Sequence, residues 1–283
     1  MSASPSSGPV AVVTRLRAAG CVFAEDEARL LVSAARTPAE LAAMVDRRVA
    51  GMPLEHVLGW AEFCGLRIAV DPGVFVPRRR TEFLVHQAEH LLGRASDPAG
   101  RGIGRPVPVV VDLCCGSGAV GAALAAALGR VDVHAVDIHP AAVRCAGRNL
   151  AGVGGRVYQG DLYEPLPAAL RGRVDVLAAN APYVPTGAIG LMPPEARLHE
   201  PQAALDGGAD GLEVIRRVIA GAASWLAPGG HLLVETSTDQ ARNAVRAIAG
   251  HGLVPRVARS GDLDATVVIG TRPPAGGAIT PAR

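Results

Sequence analysis

Apolar side chains recur three and four positions apart through most of the first fifty residues, which is the spacing of amphipathic helices. Residues 10–19 and 25–35 each predict a short helix of this kind. Thr37 followed by Pro38 and Glu40 is typical of a helix start. A threonine side chain accepts hydrogen bonds from the free amides of the first turn, and proline fits the first helical position. An acidic side chain in the first turn interacts favourably with the helix N-terminus. These patterns predict a small N-terminal helical domain.

The pattern changes between residues 57 and 76, where the short β-like pieces "RIAV" and "GVFV" stand on either side of the turn sequence Asp71-Pro72-Gly73. We predict a hairpin-like connector here. Thr81 is a predicted cap for the following helix, and residues 96–106 form a Gly/Pro/Arg-rich linker. The predicted division of the chain is an N-terminal domain with its connector at 1–75, a catalytic domain at 76–272 and a flexible tail at 273–283.

Beyond residue 106, continuous apolar runs alternate with helical patterns. The predicted strands occupy 107–113, 131–137, 156–161, 173–180, 229–236, 253–260 and 265–270. Strands that are apolar throughout and separated by helices form a parallel sheet covered on both faces. The last two runs have only "GDLD" between them, so they predict an antiparallel hairpin at one edge. The expected fold class is α/β, a Rossmann-like and mostly parallel sheet preceded by a small helical domain.

Composition narrows the classes of protein that fit this pattern. The 283 residues are 49% hydrophobic and 19% charged, enough apolar side chains to bury a core. All 28 basic residues are arginine, and a net charge of +2 does not favour a general nucleic-acid binder. Neither a targeting segment nor an apolar run of about 18 residues occurs, which predicts a cytoplasmic protein. The five cysteines lack CxxC spacing, so neither disulfides nor a metal site is expected.

A glycine loop follows the first predicted strand of the sheet, in the sequence "VVDLCCGSGAVGAAL". Glycines let the backbone approach a ligand closely, and free amides at a helix start favour a carboxylate or phosphate. This motif is weak by itself, because strand-turn-helix loops with two glycines are common. Cys114 and Cys115 point in opposite directions on an extended chain, so we interpret them as small loop residues rather than a nucleophile pair.

Acidic residues at successive strand ends indicate which ligand the loop binds. Asp137 lies about 20 residues beyond the glycine loop, where it can accept hydrogen bonds from both hydroxyls of a ribose. That position alone would suit NAD, but the loop order D-L-C-C-G-S-G differs from G-x-G-x-x-G. Asp161, at the end of the third strand, can accept a hydrogen bond from an adenine amino group. Together with Asp112 and Asp137 it makes three acidic residues at three successive strand ends, which is the pattern of S-adenosylmethionine binding. The predicted cofactor-binding residues are Asp112, Cys114, Cys115, Gly116, Ser117, Gly118, Asp137, Ile138, Asp161, Leu162 and Asn180.

The sequence "NAPY" ends the fourth strand. Pro182 keeps Ala181 extended, so the chain does not fold back into a helix. The Asn180 side-chain oxygen and the Ala181 carbonyl can accept the two N–H bonds of an amide or aniline-like nitrogen, while Tyr183 stacks on the planar group. Orienting two reactants can remove about 7–11 kcal/mol of a barrier in favourable cases. The predicted catalytic residues are therefore Asn180, Ala181, Pro182 and Tyr183.

These motifs resemble those of the protein-glutamine N5-methyltransferases that act on peptide-chain release factors, whose motif is Asn-Pro-Pro-Tyr after the fourth strand. The similarity includes "PLEHVLGWAEFCGLRIAVDPGVFVPRRRTE", "DLCCGSGAVGAALA", "GDLYEPL", "NAPYVP", "EPQAALDGGADGLEVIRRV" and "LAPGGHLLVE". It implies a class I methyltransferase that moves the methyl group of S-adenosylmethionine to a glutamine side-chain nitrogen in a protein, with a release factor as the expected partner. It also implies that "VPRRRTE" lines the active site, which gives Arg78, Thr81 and Glu82 a role there.

Two departures from the family pattern concern specificity. Ala181 replaces the first proline of the motif and Cys114 replaces a glycine, which fits a divergent branch. The predicted contact at residue 181 is a backbone carbonyl, so we expect the chemistry to persist. The alternatives are an adenine N6-methyltransferase acting on nucleic acid, a methyltransferase for another amide-bearing substrate, and an inactive S-adenosylmethionine-binding partner of the translation machinery. The charge and the small accessory domain favour a protein substrate, with no membrane and no stable nucleic-acid binding.

Overall fold

The computed structural model describes residues 8–94 and 107–274, so the predicted linker at 96–106 and all but the first two residues of the predicted tail lie outside the described residues. Four helices come first: α1 (Pro9–Ala18), α2 (Ala24–Ala34), α3 (Pro38–Val49) and α4 (Leu54–Leu58). The three predicted helices are confirmed. Thr37 caps α3 by accepting a hydrogen bond from the Glu40 N–H at 3.1 Å. The apolar faces of these helices pack into one core of their own.

The predicted hairpin is present in the connector, but it uses different residues. β1 (Trp60–Phe63) pairs antiparallel with β2 (Leu66–Ala69), and "GVFV" forms no strand. The turn is made by Cys64 and Gly65, whose φ angles of 49° and 71° are left-handed, a region that glycine enters without a steric penalty. The turn sequence Asp71-Pro72-Gly73 comes after β2 and ends it. The prediction that Asp71-Pro72-Gly73 forms the hairpin turn was therefore wrong. Two turn sequences stand close together, and the weaker one, Cys64-Gly65, closes the hairpin.

Thr81 is not the helix cap that its position predicted. It ends a 3-10 turn, Arg79–Thr81, which runs directly into α5 (Glu82–Arg94). Its side chain is buried, and its hydroxyl oxygen accepts a hydrogen bond from Asn180 Nδ2 at 3.1 Å. A contact with a residue far along the chain thus replaces the local cap.

Seven strands form one sheet in the order β5-β4-β3-β6-β7-β9-β8. These strands are β3 (Val109–Leu113), β4 (Asp132–Asp137), β5 (Arg156–Gln159), β6 (Val174–Ala179), β7 (Leu226–Thr236), β8 (Val254–Ser260) and β9 (Ala265–Thr271). β3 to β7 run parallel, whereas β9 is antiparallel to both of its neighbours. The prediction of a mostly parallel sheet with an antiparallel edge hairpin is confirmed.

Helices cover both faces of the sheet. The remaining helices are α6 (Ala119–Leu128), α7 (Pro140–Ala151), α8 (Pro194–His199), α9 (Glu213–Trp225) and α10 (Ala241–Gly250). α5, α6 and α7 pack with the β1–β2 hairpin on one face, and α9 and α10 pack on the other. Successive residues of a strand face opposite sides, so Val110 lies in the first core and Val111 in the second.

The fold brings the ends of the parallel strands to one edge, where β3 and β6 are neighbours although two other strands come between them along the chain. Ligands of open α/β sheets bind at such a point, beyond the carboxyl ends of the strands. Across residues 8–94 and 107–274, no helix is long and apolar enough to cross a bilayer, and no cluster of three or more metal-binding side chains occurs.

Candidate active site

A pocket of about 280 Å³ lies at the carboxyl ends of β4, β5 and β6. Of the predicted cofactor-binding residues, those that line it are Cys114, Gly116, Asp137, Ile138, Asp161, Leu162 and Asn180. We call this cavity the cofactor pocket. The predicted residues that do not line it are Asp112, Cys115, Ser117 and Gly118; all but Gly118 line a smaller cavity of about 30 Å³ that also touches Asn180.

Asp137 ends β4 inside the cofactor pocket. Its Oδ2 accepts a hydrogen bond from the Gly116 N–H at 2.8 Å, and its Oδ1 accepts one from the His139 N–H at 2.9 Å. Each carboxylate oxygen can accept more than one hydrogen bond, so both can also accept from a ligand. The two amides hold the carboxylate in place, and Ile138 beside it presents a largely exposed apolar side chain to the same pocket. This pairing of acceptors with an apolar surface fits a ribose joined to an aromatic base.

Asp161 lines the same pocket and is joined to a residue that the sequence analysis did not single out. Its Oδ2 is 2.6 Å from Nη2 of Arg217, which projects from α9 and lines the cofactor pocket as well. The pair is half-exposed, and it leaves the other carboxylate oxygen for a ligand such as an amino group. Of these two pocket carboxylates, Asp161 is paired with an arginine, whereas Asp137 accepts from two backbone amides.

The backbone is left-handed at two non-glycine residues of the cofactor pocket. Cys114 has φ of 55° and Leu162 has φ of 49°. Such angles cost free energy for residues with a Cβ and concentrate at functional sites. At Cys114 the resembling family has glycine, which adopts this angle without that cost. Burial raises the pKa values of the Cys114 and Cys115 thiols above their usual range, so neither is a thiolate nucleophile.

Asp112 lies beneath the glycine loop rather than in the cofactor pocket. Its side chain is buried, and its Oδ2 accepts a hydrogen bond from the Gly121 N–H at 3.0 Å, which ties β3 to α6. Burial raises the pKa of this carboxyl to about 7. Gly118 has φ of 76°, and a Cβ there would lie 3.0 Å from the Ala146 Cβ, so glycine allows α6 and α7 to approach. Cofactor contact stays a prediction for Asp112, Cys115, Ser117 and Gly118, as it does for the residues that line the cofactor pocket.

A second pocket, of about 420 Å³, adjoins the first, and we call it the substrate pocket. It is lined by all four residues of "NAPY". The two pockets share Phe75, Asn180, Pro182 and Ala204. Asn180 and Pro182 therefore lie between the space predicted for a methyl donor and the space for its acceptor.

Hydrogen bonds hold the "NAPY" loop from several directions. Asn180 Nδ2 donates to Thr81 Oγ1 at 3.1 Å, and the Tyr183 hydroxyl donates to Glu235 Oε1 at 3.2 Å. The Tyr183 carbonyl accepts from Gln240 Nε2 at 2.8 Å. Gly211 permits this approach, since a Cβ there would be 2.3 Å from the same carbonyl oxygen. Burial raises the pKa of Tyr183, so its phenol stays protonated.

Glu200, which also lines the substrate pocket, is tied to the connector and to Arg78. Both Glu200 carboxylate oxygens lie within hydrogen-bond distance of Arg78 Nη2, at 2.7 and 2.6 Å, and Glu200 Oε1 also accepts from the Val76 N–H at 3.1 Å. Burial raises the pKa of Glu200, which the Arg78 charge opposes. Glu82 stabilises the β1–β2 hairpin instead, because its Oε1 accepts a hydrogen bond from the Cys64 N–H at the hairpin turn. Arg78 lines the substrate pocket and Glu82 lines neither pocket.

Several residues of the site were missed by the sequence analysis. They are Phe75, Glu200, Arg217 and Glu235; Arg80 lies within "VPRRRTE", which the resemblance placed at the active site, but it was given no role of its own. Glu235 stands near the end of β7, so the strand-end rule that selected Asp137 and Asp161 would also have selected it. Phe75 directly precedes "VPRRRTE", and its position next to this segment could have indicated that it lines the site. No local sequence pattern indicated Arg217, because its partner Asp161 lies 56 residues away along the chain.

Comparison with known proteins identifies the family. The methyltransferase small domain family matches residues 104–209. The release factor glutamine methyltransferase of Geobacter sulfurreducens is 40% identical over 213 residues, which cover 74% of this chain and 70% of that protein. A 4-amino-L-phenylalanine/4-methylamino-L-phenylalanine methyltransferase of Streptomyces pristinaespiralis is 39% identical over 196 residues, covering 69% of this chain and 65% of that protein.

The fold has a counterpart among solved structures. The hMettl16 catalytic domain, solved in complex with the MAT2A 3′UTR hairpin 6, superimposes with a TM-score of 0.54 at 14% identity over 81% of each chain. At this low identity the likeness concerns the fold, which is that of the methyltransferases. The sequence relationship to the Geobacter protein shows more than the fold, because the match covers more than two thirds of this chain and of that protein at 40% identity. The chain belongs to the release factor glutamine methyltransferase family and is a class I methyltransferase whose cofactor is S-adenosylmethionine.

Proposed function

We propose that this chain methylates the side-chain nitrogen of a glutamine in a peptide-chain release factor. The observation that supports this most directly is the meeting of the cofactor and substrate pockets at Asn180 and Pro182. A methyl donor bound in one pocket and a nitrogen bound in the other come together beside an amide that can orient the nitrogen. The substrate named for the Geobacter relative supports the choice of a release factor.

The residues of the cofactor pocket suit S-adenosylmethionine. Asp137 would accept hydrogen bonds from the ribose hydroxyls, Ile138 would cover the adenine ring and Asp161 would accept from the adenine amino group. Gly116 brings the backbone of the glycine loop against the same space. Bound there, the cofactor supplies an electrophilic methyl group at the border with the substrate pocket.

Asn180 and Ala181 orient the nucleophile. An amide nitrogen is a poor nucleophile because its lone pair is delocalised, so the enzyme must hold it with the lone pair facing the donor. Asn180 Nδ2 is engaged by Thr81, which leaves Oδ1 to accept a substrate N–H. The Ala181 carbonyl, which accepts no hydrogen bond from the described residues, is the second acceptor. Both oxygens also stabilise the positive charge that develops on the nitrogen.

The helical domain is part of the substrate pocket. Pro53 and Glu55, at the start of α4, line this pocket. Arg48 Nη1 of α3 lies 2.6 Å from Oε1 of Glu195, a pocket residue of α8. We propose that residues 1–75 recognise a second surface of a protein substrate, while residues 76–272 carry the chemistry. A release factor acts in the cytoplasm, which is therefore the proposed location.

A second candidate substrate is a small amino acid that carries an aromatic amine. Arg80 lines the substrate pocket with a half-exposed guanidinium group, and its nearest described carboxylate, that of Glu235, is 3.9 Å away. This distance is too long for a hydrogen bond, so Arg80 is available for an anion. A free amino acid offers a carboxylate, and the Streptomyces relative is named for a substrate of this class.

One assay separates these proposals. The protein is incubated with methyl-labelled S-adenosylmethionine and, in parallel, with an intact release factor, its isolated glutamine-containing loop peptide, 4-amino-L-phenylalanine, and nucleic acid. We expect the intact factor to be labelled fastest, with mass spectrometry placing one methyl group on the glutamine side chain. Label on the free amino acid alone would favour the second candidate, and label on adenine would establish the nucleic-acid alternative. A protein that binds the cofactor but labels none of them would contradict the proposal.

A further inference from the structure

Gln240, at the start of α10, is buried and hydrogen-bonded through both ends of its side-chain amide. Its Oε1 accepts from the Ser237 N–H at 3.1 Å, and its own backbone N–H donates to Ser237 Oγ at 3.3 Å. These reciprocal bonds form a capping box, in which a serine and a glutamine or glutamate three residues later satisfy each other's free amides at a helix start. The local contact therefore uses only the oxygen of the Gln240 amide.

The NH2 group of Gln240 binds two carbonyl groups that are distant along the chain. Nε2 donates to the Tyr183 carbonyl at 2.8 Å and to the Asp210 carbonyl at 3.1 Å, 57 and 30 residues away. All three partners of this amide are backbone groups that either only donate or only accept, so one orientation of the amide satisfies them. A capping box needs only an oxygen, which glutamate also has. The NH2 group thus makes contacts that the helix cap does not require.

A glycine keeps open the space for this contact. Gly211 has φ of 74°, and a Cβ there would lie 2.3 Å from Gln240 Nε2 and 2.3 Å from the Tyr183 carbonyl oxygen. Both distances are far below ordinary van der Waals contact, so a larger residue would push the two groups apart. Gly211 is the third glycine of "DGGADGLE", a segment that the family resemblance includes. The contact between Gln240 and Tyr183 gives this glycine a function.

Tyr183 is held at both ends. Glu235 Oε1 accepts from its hydroxyl at 3.2 Å, and Gln240 Nε2 donates to its carbonyl. Pro182 lies between the carbonyls of Tyr183 and Ala181, and its ring fixes one of the two backbone dihedral angles of that residue. Holding the Tyr183 carbonyl therefore limits the direction of the Ala181 carbonyl, which is the proposed second acceptor for the substrate nitrogen.

We propose that Gln240 is a positioning residue that fixes the main chain of the "NAPY" loop for methyl transfer, and that Gly211 makes its contact possible. Through the Tyr183 carbonyl, Gln240 sets the direction of the Ala181 carbonyl and the placement of the Tyr183 ring. It acts through these groups, because it lines neither the cofactor pocket nor the substrate pocket. The inference rests on the proposed function, in which Asn180 Oδ1 and the Ala181 carbonyl accept from the nucleophile.

Two variants separate the loop contact from the helix cap. Gln240→Glu keeps the shape of the side chain and the oxygen that accepts from Ser237, but an ionised carboxylate has no hydrogen to donate to either carbonyl. Ser237→Ala does the reverse, because it removes the hydroxyl of the capping box and leaves the Gln240 amide in place. We expect kcat to fall about tenfold or more in Gln240→Glu, equivalent to ~1.4 kcal/mol of lost orientation. In Ser237→Ala kcat should stay within about twofold, and the urea midpoint of unfolding should fall instead.

Two glycine variants test the same contact from the other side. Gly211→Ala places a methyl group against both Gln240 Nε2 and the Tyr183 carbonyl, so it should lower kcat as Gln240→Glu does. Gly252→Ala is the matched control, because Gly252 has nearly the same φ, 76°, just after α10, but a Cβ there meets no atom within 4 Å. It introduces the same backbone strain without the obstruction, and kcat should be unchanged.

The readouts distinguish a misplaced loop from a loss of folded protein. Calorimetric titration with S-adenosylmethionine gives the concentration of cofactor sites, and kcat is expressed per site. A variant that has only lost folded molecules keeps its kcat on this scale. The Kd for S-adenosylmethionine and KM for the release factor should stay within about twofold in all four variants, because an effect of orientation appears in kcat.

Full kcat in Gln240→Glu or in Gly211→Ala would overturn the inference, as would an equal loss in Ser237→Ala or Gly252→Ala. Should Gln240→Glu fail to fold, Gln240→Met, which has a similar shape and likewise no donor, carries the test. An inactive Asn180→Ala variant beside a fully active Gln240→Glu variant would sink this inference alone. A fully active Asn180→Ala variant would instead contradict the proposed function.

Discussion

Three acids stand at or near the carboxyl ends of parallel strands, and each has a different neighbourhood. Asp137 accepts hydrogen bonds from two backbone amides, Asp161 pairs with Arg217, and Glu235 accepts from Tyr183. The carboxylate chemistry is the same in all three. The partners differ: backbone amides hold the Asp137 carboxylate, an arginine partly neutralises that of Asp161, and that of Glu235 holds the Tyr183 hydroxyl.

For Asp137 we expect the largest effect on cofactor affinity. Asp137→Ala should weaken S-adenosylmethionine binding by roughly 1.5–3 kcal/mol, because the ribose hydroxyls lose a charged acceptor. Asp137→Asn should weaken it less, since one acceptor oxygen remains. Isothermal titration calorimetry measures both, with the exposed Asp239→Ala as the control. An unchanged affinity in a folded Asp137→Ala variant would remove this residue from the site.

Within the "NAPY" motif, side chain and backbone should behave differently. Asn180→Ala should lower kcat by about a hundredfold or more, the loss typical of removing one group that stabilises developing charge. Ala181→Pro should keep activity within a few fold, because the carbonyl persists and the residue already precedes a proline. Steady-state kinetics with the release factor tests both. A dead Ala181→Pro variant would show that the pocket, where Ala181 is buried, needs the smaller residue.

At the scale of elements, the segment from Val184 to Leu205 forms one wall of the substrate pocket. It contains the short helix α8 and is fastened by Glu200, which binds Arg78 and the Val76 amide of the connector. Two segments that are irregular by themselves thus support each other. Their mutual contact, rather than helix or strand hydrogen bonds, gives the pocket its shape.

Breaking this contact should affect the substrate more than the cofactor. In Glu200→Gln, Arg78 loses its ionic partner, and we expect KM for the release factor to rise about tenfold, equivalent to ~1.4 kcal/mol. Cofactor affinity should be unchanged, because Glu200 does not line the cofactor pocket. Asp71→Asn is the matched control, since it removes an exposed pair with Arg148 and lines neither pocket. Equal KM values for Glu200→Gln and the control would contradict the assignment.

At the scale of the whole molecule, Asp112 couples stability to pH. Its folded-state pKa of about 7 lies above its ordinary value of 3.8, so the folded protein keeps a proton that the unfolded chain releases between these values. The free energy of unfolding contributed by Asp112 is complete below pH 3.8 and is lost as pH rises towards 7, by about 1.4 kcal/mol per pH unit. Above pH 7 both states are ionised and the contribution no longer changes.

Asp112→Asn should remove this dependence, because an amide does not titrate and its oxygen can still accept from Gly121. Urea unfolding at a series of pH values from 4 to 7 measures the difference from the unmodified protein, which cancels the other titrating groups. The exposed Asp239→Asn should leave the slope unchanged. A wild-type slope in Asp112→Asn would show that the Asp112 carboxyl ionises normally in the folded protein.

The sequence by itself determined the features that depend on neighbours a few positions apart. The helix at 119–128, the cap at Thr37 and the apolar runs of β3 to β9 were all readable, since capping and periodic burial are local. The strand-end rule then placed Asp137 and Asp161 in one pocket with Asn180, because a parallel sheet brings its carboxyl ends to one edge.

The tertiary structure alone decided the partners of these residues. Thr81 was predicted as a local cap, but its hydroxyl meets Asn180, 99 residues along the chain. Arg78 meets Glu200 over 122 residues, and Tyr183 meets Glu235 over 52. No local pattern encodes such pairs, because the free energy of a buried hydrogen bond depends on which elements the whole sheet brings together. The orientation of the Asn180 amide belongs to this second group, since its Nδ2 donates to the Thr81 hydroxyl rather than to any neighbour along the chain.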